Sequence, residues 1–233
     1  MATPRKGYWL DGKRLPSVTT VIGRFKESGG LLQWAFNQGL EQGQAIGEGT
    51  RDKPPFLYEK RDEAGDIGTL AHEMVEAYVN GENHLKLLLP EYGAEKNEKA
   101  LNAFQQFRTW LENTKIEIIS KWQEQSMMSA KHLYGGTPDA IGRDSNGDLV
   151  LLDWKTSKGV YPDMLAQVAI YCQLWEENHP DDPITGGVYI LRFAKDYPDF
   201  SAHYFGDYQL GLDYFLTARK LYDIDKEMKK RVS

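Results

Sequence analysis

The chain has 233 residues, 41% hydrophobic and 27% charged, with a formal net charge of −6. That length holds one sizeable domain, and the acidic balance argues against a simple basic protein that coats DNA. No apolar run approaches the roughly 20 residues of a membrane helix, no secretory signal is expected, and Cys172, standing alone, excludes an intrachain disulfide and a cysteine-held zinc or iron–sulfur centre.

In chain order, Tyr8-Trp9-Leu10 reads as a short strand or loop before a turn at Asp11-Gly12. A helix is expected from about Val18 to Phe25, with Ser17, Thr19 or Thr20 as its cap. Another is expected near Leu31–Gly39, followed by loop or mobile helix in a stretch that contains Pro54-Pro55. Within residues 66–80, Leu70, Met74, Val75 and Tyr78 make one apolar stripe at helical spacing, and Gly81 stops it. Residues 94–113 predict a further helix, with Leu101, Phe104, Phe107, Trp110 and Leu111 on one face.

From Ile116 the apolar period changes to two. Residues 116–129 predict one strand, with Trp122, Glu124, Ser126 and Met128 sharing a face. Leu133–Arg143 predicts a second strand beside a Tyr134-Gly135-Gly136 turn, and Asn146-Gly147 a hairpin turn into Leu149–Lys155. A helix over 161–178 ends before Pro180. Residues 187–193 and 200–205 read as a further strand pair, and 207–230 as a long helix whose basic end suits its dipole. This order predicts an α/β (α+β) fold: a central mixed sheet flanked by helices. One domain is expected over 1–233, mainly helical to 115, with the sheet core in 116–206 and the last helix in 207–233.

The hairpin carries the chemistry. Asn146-Gly147 lies midway between Asp139 and Asp153, so an antiparallel pairing sets the two carboxylates roughly across from each other. Period two then aims Asp153 and Lys155 to one side and Trp154 to the other. Leu149-Val150-Leu151-Leu152 is apolar on both faces, as in a central strand. Two acids at the end of such a strand are costly unless paired or metal-bound, and oxygen ligands favour Mg²⁺ or Mn²⁺. A salt bridge from Lys155 to Asp139 or Asp153 is the plainer alternative.

The segments TPDAIG and LLDWKTSK resemble the paired motif of the PD-(D/E)xK nuclease superfamily. Gly68-Thr69-Leu70-Ala71-His72 is similar to the upstream glycine-to-histidine helix motif of its RecB-like exonuclease branch, and Gln167-Val168-Ala169-Ile170-Tyr171 to the downstream Gln-x-x-x-Tyr motif. LPSVTTVIGRF is similar to an N-terminal segment of related phage and mitochondrial genome-maintenance exonucleases. The resemblance implies a restriction-endonuclease-like core and a Mg²⁺- or Mn²⁺-dependent deoxyribonuclease. It makes His72, Asp139, Asp153 and the Trp154 main-chain carbonyl the metal ligands, and Asp139, Asp153 and Lys155 the catalytic set. Gln167 and Tyr171 would contact nucleic acid or brace the site, and Glu124 matches an acidic residue on the branch's first core strand. Members of the branch that fasten their ends with an iron–sulfur cluster use four cysteines, so the type without a cluster is implied.

The residues read alone leave alternatives open. His72 falls on the polar side of its helix, beside Glu73 and a turn before Glu76, where a surface histidine is the common outcome. Gln167 and Tyr171, one turn apart, equally suit a buried hydrogen-bonded pair. Ser17, Thr19 and Thr20 would either cap their helix or hold a DNA phosphate at its N-terminus. Trp9, Trp34, Phe36, Phe56 and Tyr58 would stack on bases or build the core; Lys13, Arg14, Arg24, Lys26 and Lys158 would line a strand-binding groove or an ordinary surface. The leading expectation is a DNA exonuclease of recombination, repair or replication, in a bacterial or phage-infected cytoplasm and with a protein partner of that machinery. A structure-specific endonuclease, an inactive nucleic-acid-binding module and a structural ion network are the other readings.

Overall fold

The computed structural model describes residues 7–26, 29–49, 59–157, 159–193 and 200–232. Strands β1 (Tyr8–Leu10) and β2 (Lys13–Leu15) form a hairpin, followed by helices α1 (Val18–Phe25), α2 (Gly29–Gly47), α3 (Glu59–Val79) and α4 (Ala94–Asn113). Then come β3 (Glu117–Gln123), β4 (Met127–Ser129), β5 (Tyr134–Gly136), β6 (Ala140–Arg143) and β7 (Leu149–Lys155). Helix α5 (Pro162–Asn178), β8 (Val188–Phe193), β9 (Phe200–Phe205) and α6 (Gln209–Val232) complete the chain. No described helix is long and apolar enough to cross a membrane.

The central sheet is mixed, five-stranded and ordered β3-β6-β7-β8-β9. Only β7 and β8 run parallel, because α5 carries the chain back between them. Strand β7 is buried along its whole length, and its alternate residues feed two cores. Leu149 and Leu151 pack with α1, α5 and α6. Val150, Leu152 and Trp154 pack with α3 and α4 through Leu70, Met74, Phe104 and Phe107.

Three sequence expectations fail between residues 116 and 143, one being the strand over Leu133–Arg143, which divides into β5 and β6 in separate sheets. The strand expected over 116–129 breaks at Glu124, whose φ of +46° leaves the extended region. Its pairing with β6 slips between Ile118–Gly142 and Gln123–Ala140, a bulge that turns the chain beyond it in a new direction. The shared face expected for Trp122, Glu124, Ser126 and Met128 is therefore lost. Tyr134-Gly135-Gly136 is a strand paired with β4, not a turn. Here the glycines serve close packing: a Cβ on Gly135 would sit 2.1 Å from the Tyr8 ring, and one on Gly136 2.7 Å from the Tyr171 ring. The β1–β2 hairpin is thereby seated on the body beside the candidate site. Helix α2 also runs longer than the expected Leu31–Gly39.

Candidate metal centre and its surroundings

Ala140 lies opposite Leu152, and the same register carried one step outward sets Asp139 across from Asp153. Both aspartates are fully buried, and Lys155 is 8% exposed. Asp139 accepts a hydrogen bond at Oδ2 from the Trp154 backbone N–H, 2.8 Å. Lys155 Nζ lies 2.5 Å from Asp153 Oδ2, so the expected salt bridge exists, and it goes to Asp153. It does not discharge the site, because one ammonium faces more than one acid.

The further acid is Glu124, which the break in the first core strand turns inward. Its backbone N–H donates to the Asp139 carbonyl at 3.1 Å, tying the two residues together. One ligand atom each from His72, Glu124 and Asp139 lies within 4.8 Å of the others. His72 therefore faces the strand ends with its side chain 14% exposed, while Glu73 and Glu76 on the same side of α3 remain exposed. The His72 ring meets Trp154 edge-on at 6.3 Å, and its Nδ1 is 3.9 Å from Asp139 Oδ1, too far for a hydrogen bond.

Burial dominates the electrostatics. It pushes Glu124 up to about 8, with the nearby Asp139 carboxylate adding to the rise. It pushes Asp153 up to about 6 against the opposing pull of Lys155, and it raises Asp139, which Lys155 again pulls down. It holds the His72 imidazole neutral, down at about 3. Among the described residues, Asp139 Oδ1, Glu124 Oε2, Asp153 Oδ1 and His72 Nδ1 are buried without a hydrogen-bond partner. Such orphaned acceptors are rare and costly. Hard oxygens with one neutral imidazole suit a divalent cation, whose charge would favour the ionised form of carboxylates that burial otherwise pushes toward protonation.

Gln167 Nε2 donates to the Tyr171 hydroxyl at 3.1 Å, and both side chains are buried. The structure favours the bracing arrangement over an exposed nucleic-acid contact: Tyr171 packs on Gly136 and stands close enough to Asp153 to feel its charge. Sequence reading missed other supports. Tyr8 hydroxyl meets Thr137 Oγ1 at 2.9 Å, and Thr137 meets Ser126 Oγ at 3.0 Å, which holds the Pro138-Asp139 segment from behind. Arg192, beside Lys155 in the parallel pairing, donates to the Ser157 carbonyl and to Ser201 Oγ. No local motif announces these residues, since their partners are distant in the chain.

Ser17, Thr19 and Thr20 do cap α1: Ser17 Oγ accepts the Thr20 N–H at 3.0 Å and touches both threonine hydroxyls. They also line a cavity of about 410 Å³ with Tyr8, Arg14 and Lys226. Arg24 and Lys26 are engaged by Asp225 and Asp163, whereas Lys13 and Arg14 are exposed. Trp9 and Phe36 are exposed, while Lys158, Phe56, Tyr58 and the Trp34 side chain lie outside the described residues.

No protein-family model matches the chain, and no curated protein matches it. Among solved structures, a "Putative exonuclease" from Eubacterium rectale is similar at 13% identity and a TM-score of 0.39, over 76% of this chain and 73% of that one. SSO0001 is similar at 14% identity and a TM-score of 0.30, over 83% and 85%. Both likenesses are distant, and the site itself carries the functional reading.

Proposed function

We propose that the protein is a metal-dependent DNA exonuclease of the RecB-like PD-(D/E)xK type, without an iron–sulfur cluster. The observation that carries this reading is the convergence of His72, Glu124 and Asp139 on one point beside the Asp153–Lys155 pair, with their inward atoms unpartnered. The motif order, from His72 through Asp139, Asp153 and Lys155 to Gln167 and Tyr171, supports it.

His72, Glu124, Asp139 and Asp153 would hold Mg²⁺ or Mn²⁺, with the Trp154 carbonyl available as a further ligand. A bound divalent cation lowers the pKa of its water and offsets charge building on the phosphoryl oxygens. Asp153 holds the buried Lys155 ammonium beside the site, where its protons would orient the attacking water and meet the charge developing on the phosphate. The backbone N–H of Trp154 fixes the Asp139 carboxylate, so its free oxygen points inward. Gln167 and Tyr171 form the wall behind. Ser17, Thr19, Thr20 and Arg14 would take a phosphate of the bound strand.

End-labelled single- and double-stranded DNA tests the proposal with Mg²⁺ or Mn²⁺. Hydrolysis should stop in EDTA, and Lys155→Ala should lower turnover on the order of 10²–10³-fold. Full activity in EDTA, or in Lys155→Ala, overturns it. Closed circular single-stranded DNA should survive, because an exonuclease needs an end; its cleavage would favour the endonuclease reading.

A further inference from the structure

Glu124 and Asp139 are set in two gaps that no β-ladder supports. Strands β3 and β6 pair as far as Gln123–Ala140, and β4 and β5 take up the pairing at Met127–Gly136. Between these pairs lie residues 124–126 on one side and 137–139 on the other, facing each other outside any strand. Pro138 has no N–H to give a ladder, and Glu124 has left the extended region. The spacing of the two acids is therefore not fixed by a sheet.

Two contacts bridge the gaps instead. At one end the Glu124 N–H donates to the Asp139 carbonyl at 3.1 Å. At the other end Ser126 Oγ and Thr137 Oγ1 meet at 3.0 Å. Each acid thus lies two residues from a hydroxyl that grips the opposite gap. Thr137 is buried, and its hydroxyl also meets that of Tyr8 at 2.9 Å; one hydroxyl can serve both neighbours as donor and acceptor. Tyr8 belongs to the β1–β2 hairpin, 129 residues earlier in the chain. It reaches Thr137 because Gly135 leaves its ring room against β5. The chain leaving the hairpin is tied to the same strand, where the Gly135 N–H donates to the Pro16 carbonyl at 3.0 Å.

We infer that the Tyr8–Thr137–Ser126 hydroxyl chain positions Glu124 and Asp139 and thereby makes the metal centre discriminate by ion size. Mg²⁺ demands near-octahedral ligand geometry, whereas Ca²⁺ accepts more ligands in a flexible one. Acids held at a fixed spacing favour the first ion, and acids on loose gaps favour the second. None of the three hydroxyls belongs to the His72–Glu124–Asp139 group, so they are positioning residues that act through the two carboxylates. The inference rests on the metal-centre reading above, and it adds the N-terminal hairpin to what that centre requires.

Mn²⁺ binding to the full chain, followed by the electron paramagnetic resonance of the free ion and competed with Mg²⁺ or Ca²⁺, tests it without DNA or turnover. Thr137→Val keeps the side-chain shape and removes the hydroxyl. It should weaken Mn²⁺ binding about tenfold, at the low end of the ~10–100-fold that a lost outer-shell partner costs. Mg²⁺ should lose more ground as a competitor than Ca²⁺, and Thr137→Ser should restore both. Tyr8→Phe keeps the ring beside Gly135 and should shift the Mg²⁺ to Ca²⁺ ratio the same way, by less. The double variant Tyr8→Phe/Thr137→Val separates positioning from stability. Removing both partners relieves the orphaned Tyr8 hydroxyl, so its metal-free melting temperature should exceed that of Thr137→Val, while the preference for Mg²⁺ should stay lost. The inference is overturned, with the metal centre left standing, if Thr137→Val binds Mn²⁺ like the wild type or keeps its ratio of Mg²⁺ to Ca²⁺. A double variant whose preference recovers with its melting temperature overturns it too. A wild type that binds no Mn²⁺, or an Asp139→Asn variant that binds it unchanged, overturns the metal centre and this inference together.

Discussion

The end of the β6–β7 hairpin and the cavity at the start of α1 are both polar, both assigned to function by sequence motifs, and joined through Tyr8. They differ in how their polar groups are satisfied. In the cavity, Ser17, Thr19 and Thr20 bond one another and an α1 amide, and Arg14 faces water. At the hairpin end, carboxylate oxygens are buried without donors, and burial lifts Glu124, Asp139 and Asp153. A satisfied polar surface can touch a ligand but does not require one. An unsatisfied buried cluster persists only if something repays its desolvation, and a tightly held cation does. The two regions should therefore respond to substitution in different ways.

The largest contrast is expected at Asp139. Asp139→Asn keeps an oxygen to accept the Trp154 N–H, so the hairpin should hold its shape. It removes the charge at the centre of the cluster. Mn²⁺ affinity by calorimetry should fall by more than the ~10–100-fold that loss of an outer-shell partner costs. Unchanged affinity would place the metal elsewhere, and the distinction between the two regions would collapse.

A smaller effect, with a sign that can be worked out, concerns pH. Glu124 moves from an ordinary 4.5 to about 8, so the native state holds its proton where the unfolded chain has lost it. Stability without metal should therefore fall as pH rises through that interval. His72 acts oppositely: held down at about 3 against an ordinary 6.5, it makes stability rise with pH until about 6.5 and contributes fully above that. The clean window is thus pH 6.5 to 8. In EDTA the melting temperature should drop across it, saturating Mn²⁺ should remove the drop, and Glu124→Gln should flatten it without metal. A flat profile for the wild type would mean that Glu124 is ionised and already compensated.

The legible part of the site was the hairpin, because the Asn-Gly turn and the period of two together place Asp139 against Asp153 without tertiary information. His72 was legible as a motif member but not as an inward residue: its helix looks solvent-facing there until the strand ends close over it. Glu124 was legible through the resemblance as an accessory acid, but its inward turn was not, since nothing local requires a glutamate to adopt a φ of +46°. Gly135-Gly136 misled for a related reason. Paired glycines suggest a turn, yet here they make room for Tyr8 and Tyr171 rings contributed by distant segments. The central mixed sheet was recoverable from element order, whereas the small β4–β5 sheet depends on those same long-range contacts.

The smallest predicted effects lie in the cavity, and they test its satisfied character. Ser17→Ala leaves the Thr20 amide to water and removes the hydroxyl shared with Thr19, which should cost about 1 kcal/mol in denaturant unfolding. Metal affinity should not change, because no cavity hydroxyl joins the His72–Glu124–Asp139 group. Arg14→Ala should leave stability nearly untouched, since the side chain is exposed. If the cavity holds a phosphate of the strand, that variant should raise KM at constant kcat and reduce the salt dependence of DNA binding by about one unit of slope. Loss of kcat in Arg14→Ala would contradict this division: the cavity would then act on the reacting phosphate, and Tyr8 would connect two parts of one site rather than separate a contact surface from a reaction centre.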